Sequence, residues 1–197
     1  MYNWIQRVIA FIMCIILLPI FVVISIIIKI ESRGPIIFKQ VRVGKDNKLF
    51  TMYKFRSMVI DTPNLPTDLL NNPNIYITKF GSILRKTSLD ELPQLINIIK
   101  GEMVFVGPRP ALDNQYDLIN LRKKNGIEHL YPGITGWAQI NGRDELEMEE
   151  KVKFDTIYAK KKSIIFDLKI VFITIFKVIK REGIVEGRQY ENDIENK

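Results

Sequence analysis

Asp90 and Glu91 stand side by side in Lys86-Thr87-Ser88-Leu89-Asp90-Glu91-Leu92-Pro93-Gln94, and Arg109 follows between Pro108 and Pro110. Adjacent carboxylates can share one small site, one attacking while the other holds a metal or a proton. They leave one turn from neighbouring positions, so they cannot bracket a glycosidic bond as glycosidase pairs do, roughly 5–10 Å apart. A free aspartate has a pKa of about 3.9, so Asp90 is expected to be ionised at neutral pH without help from a base. A carboxylate that attacks phosphorus forms an acyl phosphate, activated enough for a weak second nucleophile to displace it. The prolines around Arg109 restrict its backbone and lower the ordering cost of a bidentate phosphate contact.

The same segment also fits a purely structural role. Ser88-Leu89-Asp90-Glu91 matches a capping box, with Ser88 as N-cap and Glu91 at N3. Acidic residues suit a first helical turn, and proline is tolerated there. Other segments tilt the balance toward chemistry. Phosphoryl transfer needs charge neutralisation and positioning, and Lys54, Arg56, Arg85, Arg109 and Arg143 are candidates for both. Mg²⁺ is the expected metal, since it takes few protein carboxylates and shares phosphate oxygens with the substrate. No glycine-rich Walker pattern occurs, which disfavours an ATPase.

The elements that must position these groups begin with an apolar N-terminus. Val8 to Ile28 carries no charge; its 21 residues would reach about 31 Å as a helix, enough to cross a hydrocarbon core. The run is too long for a signal peptide and lacks a cleavage site. Pro19 near its middle removes a donor and crowds the Ile15 carbonyl, so a kink is expected. Arg7 precedes the run, and Lys29 and Arg33 follow it. Basic flanks on both sides fit a bent helix that enters and leaves by the cytoplasmic face, while a plain span stays equally open on composition alone.

Gly34-Pro35 ends this anchor. Ile36–Phe38 and Leu49–Tyr53 read as strands around a polar turn at Gly44–Lys48. Residues 61–75 read as a long loop, a length that often carries function. Leu92–Ile99 reads as a helix closed by Lys100-Gly101, Met103–Val106 as a short apolar stretch, and Leu112–Asn125 as a further helix. Pro132-Gly133 and Gly136 break the chain before Trp137–Ile140. Leu146–Lys160 reads as a charged helix with Met148, Val152 and Phe154 inward. Ile164–Arg181 combines a stripe of Lys169, Lys177 and Lys180 with a broad apolar face. It suits either a membrane interface or a core helix with one wet edge. The tail from Glu182 is polar and acidic.

Composition bounds the partners. The chain has 197 residues, with 29 Lys and Arg against 22 Asp and Glu, a net charge of +7. That suits one domain plus an anchor and favours anionic partners. One cysteine, Cys14, excludes an internal disulfide and a cysteine-based zinc site. The single histidine, His129, reads as a loop residue. No helix concentrates the basic residues, so nucleic-acid binding is not expected. A membrane-tethered scaffold, or a binder of anionic lipid, remains the alternative to an enzyme.

Several motifs in order resemble the bacterial sugar transferase family, the small monotopic phosphoglycosyl transferases. They are Gly34-Pro35-Ile36-Ile37-Phe38-Lys39-Gln40, Tyr53-Lys54-Phe55-Arg56-Ser57-Met58, Arg85 through Gln94, Gly101-Glu102-Met103, Val106-Gly107-Pro108-Arg109-Pro110, and Pro132 through Gln139 with Asn141-Gly142-Arg143. The likeness runs over about residues 1–181. It implies transfer of a sugar 1-phosphate from a UDP-sugar to a polyprenol phosphate such as undecaprenyl phosphate, with release of UMP, as the first step of capsule, O-antigen or other glycan assembly.

By that resemblance Asp90 is the nucleophile, and Glu91 completes the dyad and helps place Mg²⁺ or the acceptor. Lys54, Arg85 and Arg109 bind phosphates or nucleotide, and Gln139 and Arg143 help build the site. The family's N-terminal helix is re-entrant. Here Leu18-Pro19 replaces its usual Ser-Pro, which keeps the proline and drops a hydroxyl. The extra N-terminal membrane domain of larger relatives is not expected, leaving the minimal catalytic form. Asp61-Thr62-Pro63-Asn64 and Ile77-Thr78-Lys79 look most like capsule members that use N-acetylated amino sugars.

The expected fold is therefore a small membrane-associated α/β (α+β) protein. A kinked re-entrant helix over 1–31 precedes a mixed catalytic domain with amphipathic interfacial helices over 32–181 and a polar tail over 182–197. The expected location is the bacterial inner membrane with the domain facing the cytoplasm. The expected partners are the UDP-sugar, the polyprenol phosphate, membrane lipids and downstream glycosyltransferases.

Overall fold

The structure is a computed structural model that describes residues 2–62, 75–142 and 146–180. The fold is a mixed α/β one, which agrees with the class expected. Two helices open it, α1 (Tyr2–Ile16) and α2 (Leu18–Glu31), bent by 62° across Leu17. Pro19 has no N–H to give the Ile15 carbonyl, so the helical ladder is interrupted there. The flanking bonds survive: Leu17 N donates to Met13 O at 2.9 Å and Phe21 N to Leu17 O at 3.0 Å. The result is a bend between two regular helices. No single helix among the described residues is long and apolar enough to cross a membrane, while this bent pair is by length and composition.

A hairpin follows, β1 (Ile37–Val43) and β2 (Leu49–Phe55), antiparallel from Ile37↔Phe55 to Val43↔Leu49. β1 runs further than Ile36–Phe38 because Lys39, Gln40 and Arg42 interrupt the apolar signal while the backbone pairs on. The turn between the strands holds Asp46 and Asn47 with positive φ. α3 (Lys79–Lys86) is capped by Thr78, whose hydroxyl oxygen accepts from Gly81 N at 2.9 Å. α4 spans Gln94–Lys100, and Gly101 closes it in the left-handed region.

The chain then forms β3 (Val104–Val106), β4 (Ala111–Leu112), α5 (Tyr116–Lys124), β5 (Gly133–Thr135), α6 (Trp137–Ile140), α7 (Met148–Lys161) and α8 (Ile164–Lys180). β4 adds to the other edge of β1, giving the order β2-β1-β4, and β3 pairs with β5 in parallel. The helix expected over Leu112–Asn125 thus begins only at Tyr116. Leu112 is taken by pairing with Arg42 of β1, and its N–H donates to Gln115 Oε1 at 2.9 Å. The tail from 182, residues 63–74 of the expected loop and Arg143 lie outside the described residues.

Packing ties the bent pair to the domain. Ala10 of α1 is buried with Phe50 and Met52 of β2 and Leu95 and Ile98 of α4. Ile24 and Ile28 of α2 are buried with Phe55 and Leu84. Polar groups add to the joint: Gln6 Oε1 accepts from Phe105 N at 2.9 Å, and Arg7 Nε donates to Ile99 O at 2.7 Å. A second centre gathers Val106, Ile140, Tyr158 and Ile170. Outward, Trp4, Ile12, Ile16 and Val23 on the bent pair and Ile165, Leu168, Phe172 and Ile179 on α8 stay exposed. Apolar surface on this scale marks an interaction face.

Candidate active site

The dyad sits on a tight turn between α3 and α4. Ser88 adopts a left-handed conformation (φ 55°, ψ 17°), and Leu89–Glu91 form a single 3₁₀ turn closed by Glu91 N donating to Ser88 O at 3.2 Å. The alternative reading of the segment as a capping box is excluded here. An N-cap residue is extended and its side chain accepts a backbone N–H. Ser88 is left-handed and makes no such bond, and α4 starts only after Pro93. Asp90 and Glu91 are each 7% exposed, so both carboxylates are held inside the protein instead of decorating a helix end. Buried carboxylates require partners.

Those partners come from distant segments. Lys54, near the end of β2, places Nζ 2.8 Å from Glu91 Oε1. Arg109 places Nη1 3.3 Å from the same oxygen. Arg85, in the last turn of α3, adds its charge to the field at Asp90. Burial pushes the Asp90 carboxyl above the ordinary carboxylate range, and the Glu91 charge pushes the same way. Lys54, Arg85 and Arg109 pull it back. Burial likewise lowers the Lys54 ammonium, against the pull of Glu91. The reference value expected for Asp90 therefore does not carry over: its charge depends on the cations around it.

Asn97 fixes this geometry, although it belongs to none of the motifs in the sequence. It is fully buried on α4. Its Oδ1 accepts from Tyr53 N at 3.1 Å, and its Nδ2 donates to Thr51 O and to Glu102 Oε2, both at 2.7 Å. The amide holds β2 against α4, which keeps Lys54 beside the dyad. The one available signal was a lone amide inside the apolar run Leu95-Ile96-Asn97-Ile98-Ile99.

Arg109 reaches the site from a narrow mount. Gly107 N donates to Thr135 O at 2.9 Å, and a Cβ on Gly133 would collide with the Gly107 backbone. Only glycine lets β3 and β5 approach this closely, and Pro108 leaves directly from that contact.

No hydrogen bond described joins Arg56 or Gln139 to the dyad. Arg56 is buried and donates to Arg33 O at 2.9 Å and to Ser32 O and Ser32 Oγ at 2.7 Å. It ties the end of α2 to β2 through its two terminal nitrogens, while its Nε is buried without a hydrogen-bond partner among the described residues. Gln139, on α6, has both amide atoms buried without a hydrogen-bond partner among the described residues. His129 ends a 3₁₀ turn over Ile127–His129 where a loop was expected; it is exposed and lies 2.8 Å from Asp46.

What the cluster offers chemically is two adjacent buried carboxylates with three cations around them. This set suits a diphosphate substrate. Comparison with known proteins points the same way. A family model described as bacterial sugar transferase matches residues 1–181. The chain is 46% identical over 167 residues to a protein of Escherichia coli (strain K12) named UDP-glucose:undecaprenyl-phosphate glucose-1-phosphate transferase, covering 81% of this chain and 36% of that protein. It is 43% identical over 158 residues to the uncharacterized sugar transferase EpsL of Bacillus subtilis (strain 168), covering 80% and 77%. It is 39% identical over 165 residues to the galactosyl transferase CpsE of Streptococcus agalactiae serotype III (strain NEM316), covering 78% and 36%. The chain thus spans about a third of the length of the first and third of these relatives.

Proposed function

The chain belongs to the bacterial sugar transferase family, and we propose that it transfers a sugar 1-phosphate from a UDP-sugar to undecaprenyl phosphate, releasing UMP. The observation that carries this reading is the convergence of Lys54 and Arg109 on Glu91, with Asp90 next to it in the same buried turn. Relatives whose names state this reaction with glucose, in E. coli and elsewhere, support it.

The chemistry is a double displacement. Asp90 attacks the phosphorus that bears the sugar, and the bond from that phosphorus to the bridging oxygen breaks, so UMP leaves. An oxygen of undecaprenyl phosphate then attacks the same phosphorus, breaks the acyl phosphate bond and regenerates the carboxylate. Lys54, Arg85 and Arg109 neutralise phosphate charge as it moves. Asp90 and Glu91 suit Mg²⁺, which needs only one or two protein carboxylates when phosphate oxygens and water complete its shell. Bound there, the ion would offset negative charge on the diphosphate.

The setting proposed is the cytoplasmic face of the bacterial inner membrane. The bent α1–α2 pair would enter and leave by that face, with Arg7 and Lys29 at the headgroups and α8 along the interface. The sugar proposed is an N-acetylated amino sugar, on the likeness of Asp61-Thr62 and Ile77-Thr78-Lys79 to capsule-synthesis members. The product would pass to downstream glycosyltransferases.

The test is UMP release by the purified protein in nanodiscs containing undecaprenyl phosphate. Donors are UDP-glucose, UDP-galactose and the UDP-N-acetylated amino sugars, each with and without Mg²⁺. Release that depends on donor and lipid phosphate is expected, and Asp90→Asn should abolish it. Donor alone should leave a sugar phosphate on the protein, seen as added mass on the intact chain. UMP formed only with both substrates bound would replace the covalent step with direct attack by the lipid phosphate.

A further inference from the structure

The segment that carries Arg109 has an unusual hydrogen-bonding problem. Pro108 and Pro110 have no N–H, so the tripeptide cannot be anchored through a run of its own amides. It is held by its carbonyls instead, and each goes to a different element. Pro108 O accepts from Gly133 N at 3.0 Å. Arg109 O accepts from Arg122 Nη1 at 2.8 Å. Pro110 O accepts from Arg42 Nη1 at 3.1 Å.

The middle contact has the deepest support. Arg122, on α5, also grips Asp155 of α7, with Nε at 3.0 Å and Nη2 at 2.7 Å from Oδ2. Asp155 is 1% exposed. Arg122 thus spends three donors on two targets, in a geometry that a flexible point charge such as lysine cannot reproduce. Its fork points Nη1 at the one carbonyl that belongs to Arg109 itself. From there the Arg109 side chain crosses to Glu91 Oε1.

We infer that Asp155 and Arg122 are positioning residues of the transfer reaction: they form a buried relay from α7 through α5 that sets where the Arg109 guanidinium meets the dyad and the substrate phosphates. The inference rests on the proposed reading of that dyad. Neither residue touches Glu91 or Asp90 by any hydrogen bond described, so their effect on turnover passes through Arg109. Burial raises the Asp155 carboxyl above the ordinary range, and the Arg122 contact pulls it back down.

The test is a double-mutant cycle. Arg122→Lys keeps the charge and loses the fork, and Asp155→Asn keeps the shape and loses the charge. Each is measured with Arg109 intact and in an Arg109→Ala background, by single-turnover UMP release at high enzyme concentration, with thermal melting alongside. With Arg109 intact, each change is expected to lower the rate about tenfold or more, as small misplacements of a positioned group do. In the Arg109→Ala background the same changes are expected to cost less than about twofold, because the group they position is gone. The melting shifts should be equal in the two backgrounds. Equal rate losses in both backgrounds would overturn the inference and make the pair merely structural, while the proposed function stands. Full activity of Arg109→Ala would instead remove the reading of the site, and the inference with it.

Discussion

The ammonium of Lys54 lies 2.8 Å from Oε1 of Glu91, across 37 positions of sequence. Arg109 approaches the same oxygen from the other side of the chain, 18 positions away. Glu91 is therefore the junction at which the hairpin, the dyad turn and the proline-flanked segment meet.

Removing Lys54 should damage both stability and turnover, and the two effects can be separated. Lys54→Met takes the nearer of two cations away from the buried Glu91 charge, at a cost of about 3 kcal/mol. Lys54→Met with Glu91→Leu replaces charge by apolar volume and should recover most of that loss. Turnover should stay about 10²-fold or more below wild type in both proteins, because the first lacks the Lys54 charge and the second lacks the Glu91 carboxylate of the dyad as well. Thermal melting and UMP release measure the two effects. Recovery of activity along with stability would show that neither Lys54 nor Glu91 serves the reaction and that the pair is only structural.

The pH dependence follows from the raised carboxyl of Asp90. The attacking form is the carboxylate, so the rising limb of the rate profile should lie above the ordinary carboxylate range of about 4. Arg85→Gln removes a charge that pulls the group down and should move the limb to higher pH. Stability has the opposite sign. The folded protein binds this proton more tightly than the unfolded chain, so the contribution is fully present below the unfolded pKa and lost as pH rises through the folded one. Asp90→Asn escapes that loss. It should melt above wild type at neutral pH, and the gap should close in acid. A gap that widens in acid would reverse the assigned shift.

Asn97→Leu should separate β2 from α4. It strands the Tyr53 N–H and the Thr51 carbonyl and leaves Glu102 without its amide partner. A loss of about 2–4 kcal/mol is expected. Asn97→Asp keeps the acceptor for Tyr53 and turns the donor into a charge facing Thr51 O and Glu102, so it should be no better. Denaturant or thermal unfolding in detergent reads both. An Asn97→Asp protein as stable as wild type would mean that the two donated bonds contribute nothing.

The bend at Pro19 should decide topology. With Cys14→Ser as background, a cysteine introduced by Asn3→Cys should resist an impermeant thiol reagent on intact cells and react once the cells are opened. Adding Pro19→Leu restores the missing donor and should straighten the pair toward a span, exposing position 3 outside. Labelling in intact cells with Pro19 present would mean that the pair crosses the bilayer, with the catalytic assignment unchanged.

Local features of this site were legible because they depend on neighbours in the chain. The adjacency of Asp90 and Glu91, the proline pair around Arg109, and the break that Pro19 makes in an uncharged run follow from covalent order and backbone sterics alone. The motifs also carry the family, which agrees with the match over residues 1–181. What tertiary structure decided was which groups meet. Lys54 and Arg56 lie two residues apart on the same strand end, and the sequence treats them alike. Packing of α2 against β2 turns Arg56 toward the carbonyls of Ser32 and Arg33, while Asn97 on α4 holds Lys54 at Glu91. The left-handed Ser88, which opens a 3₁₀ turn where a cap was the alternative, and the raised Asp90 carboxyl have the same origin. Both are set by burial and by charges from segments far away in the chain, and distance in space cannot be read from spacing in sequence.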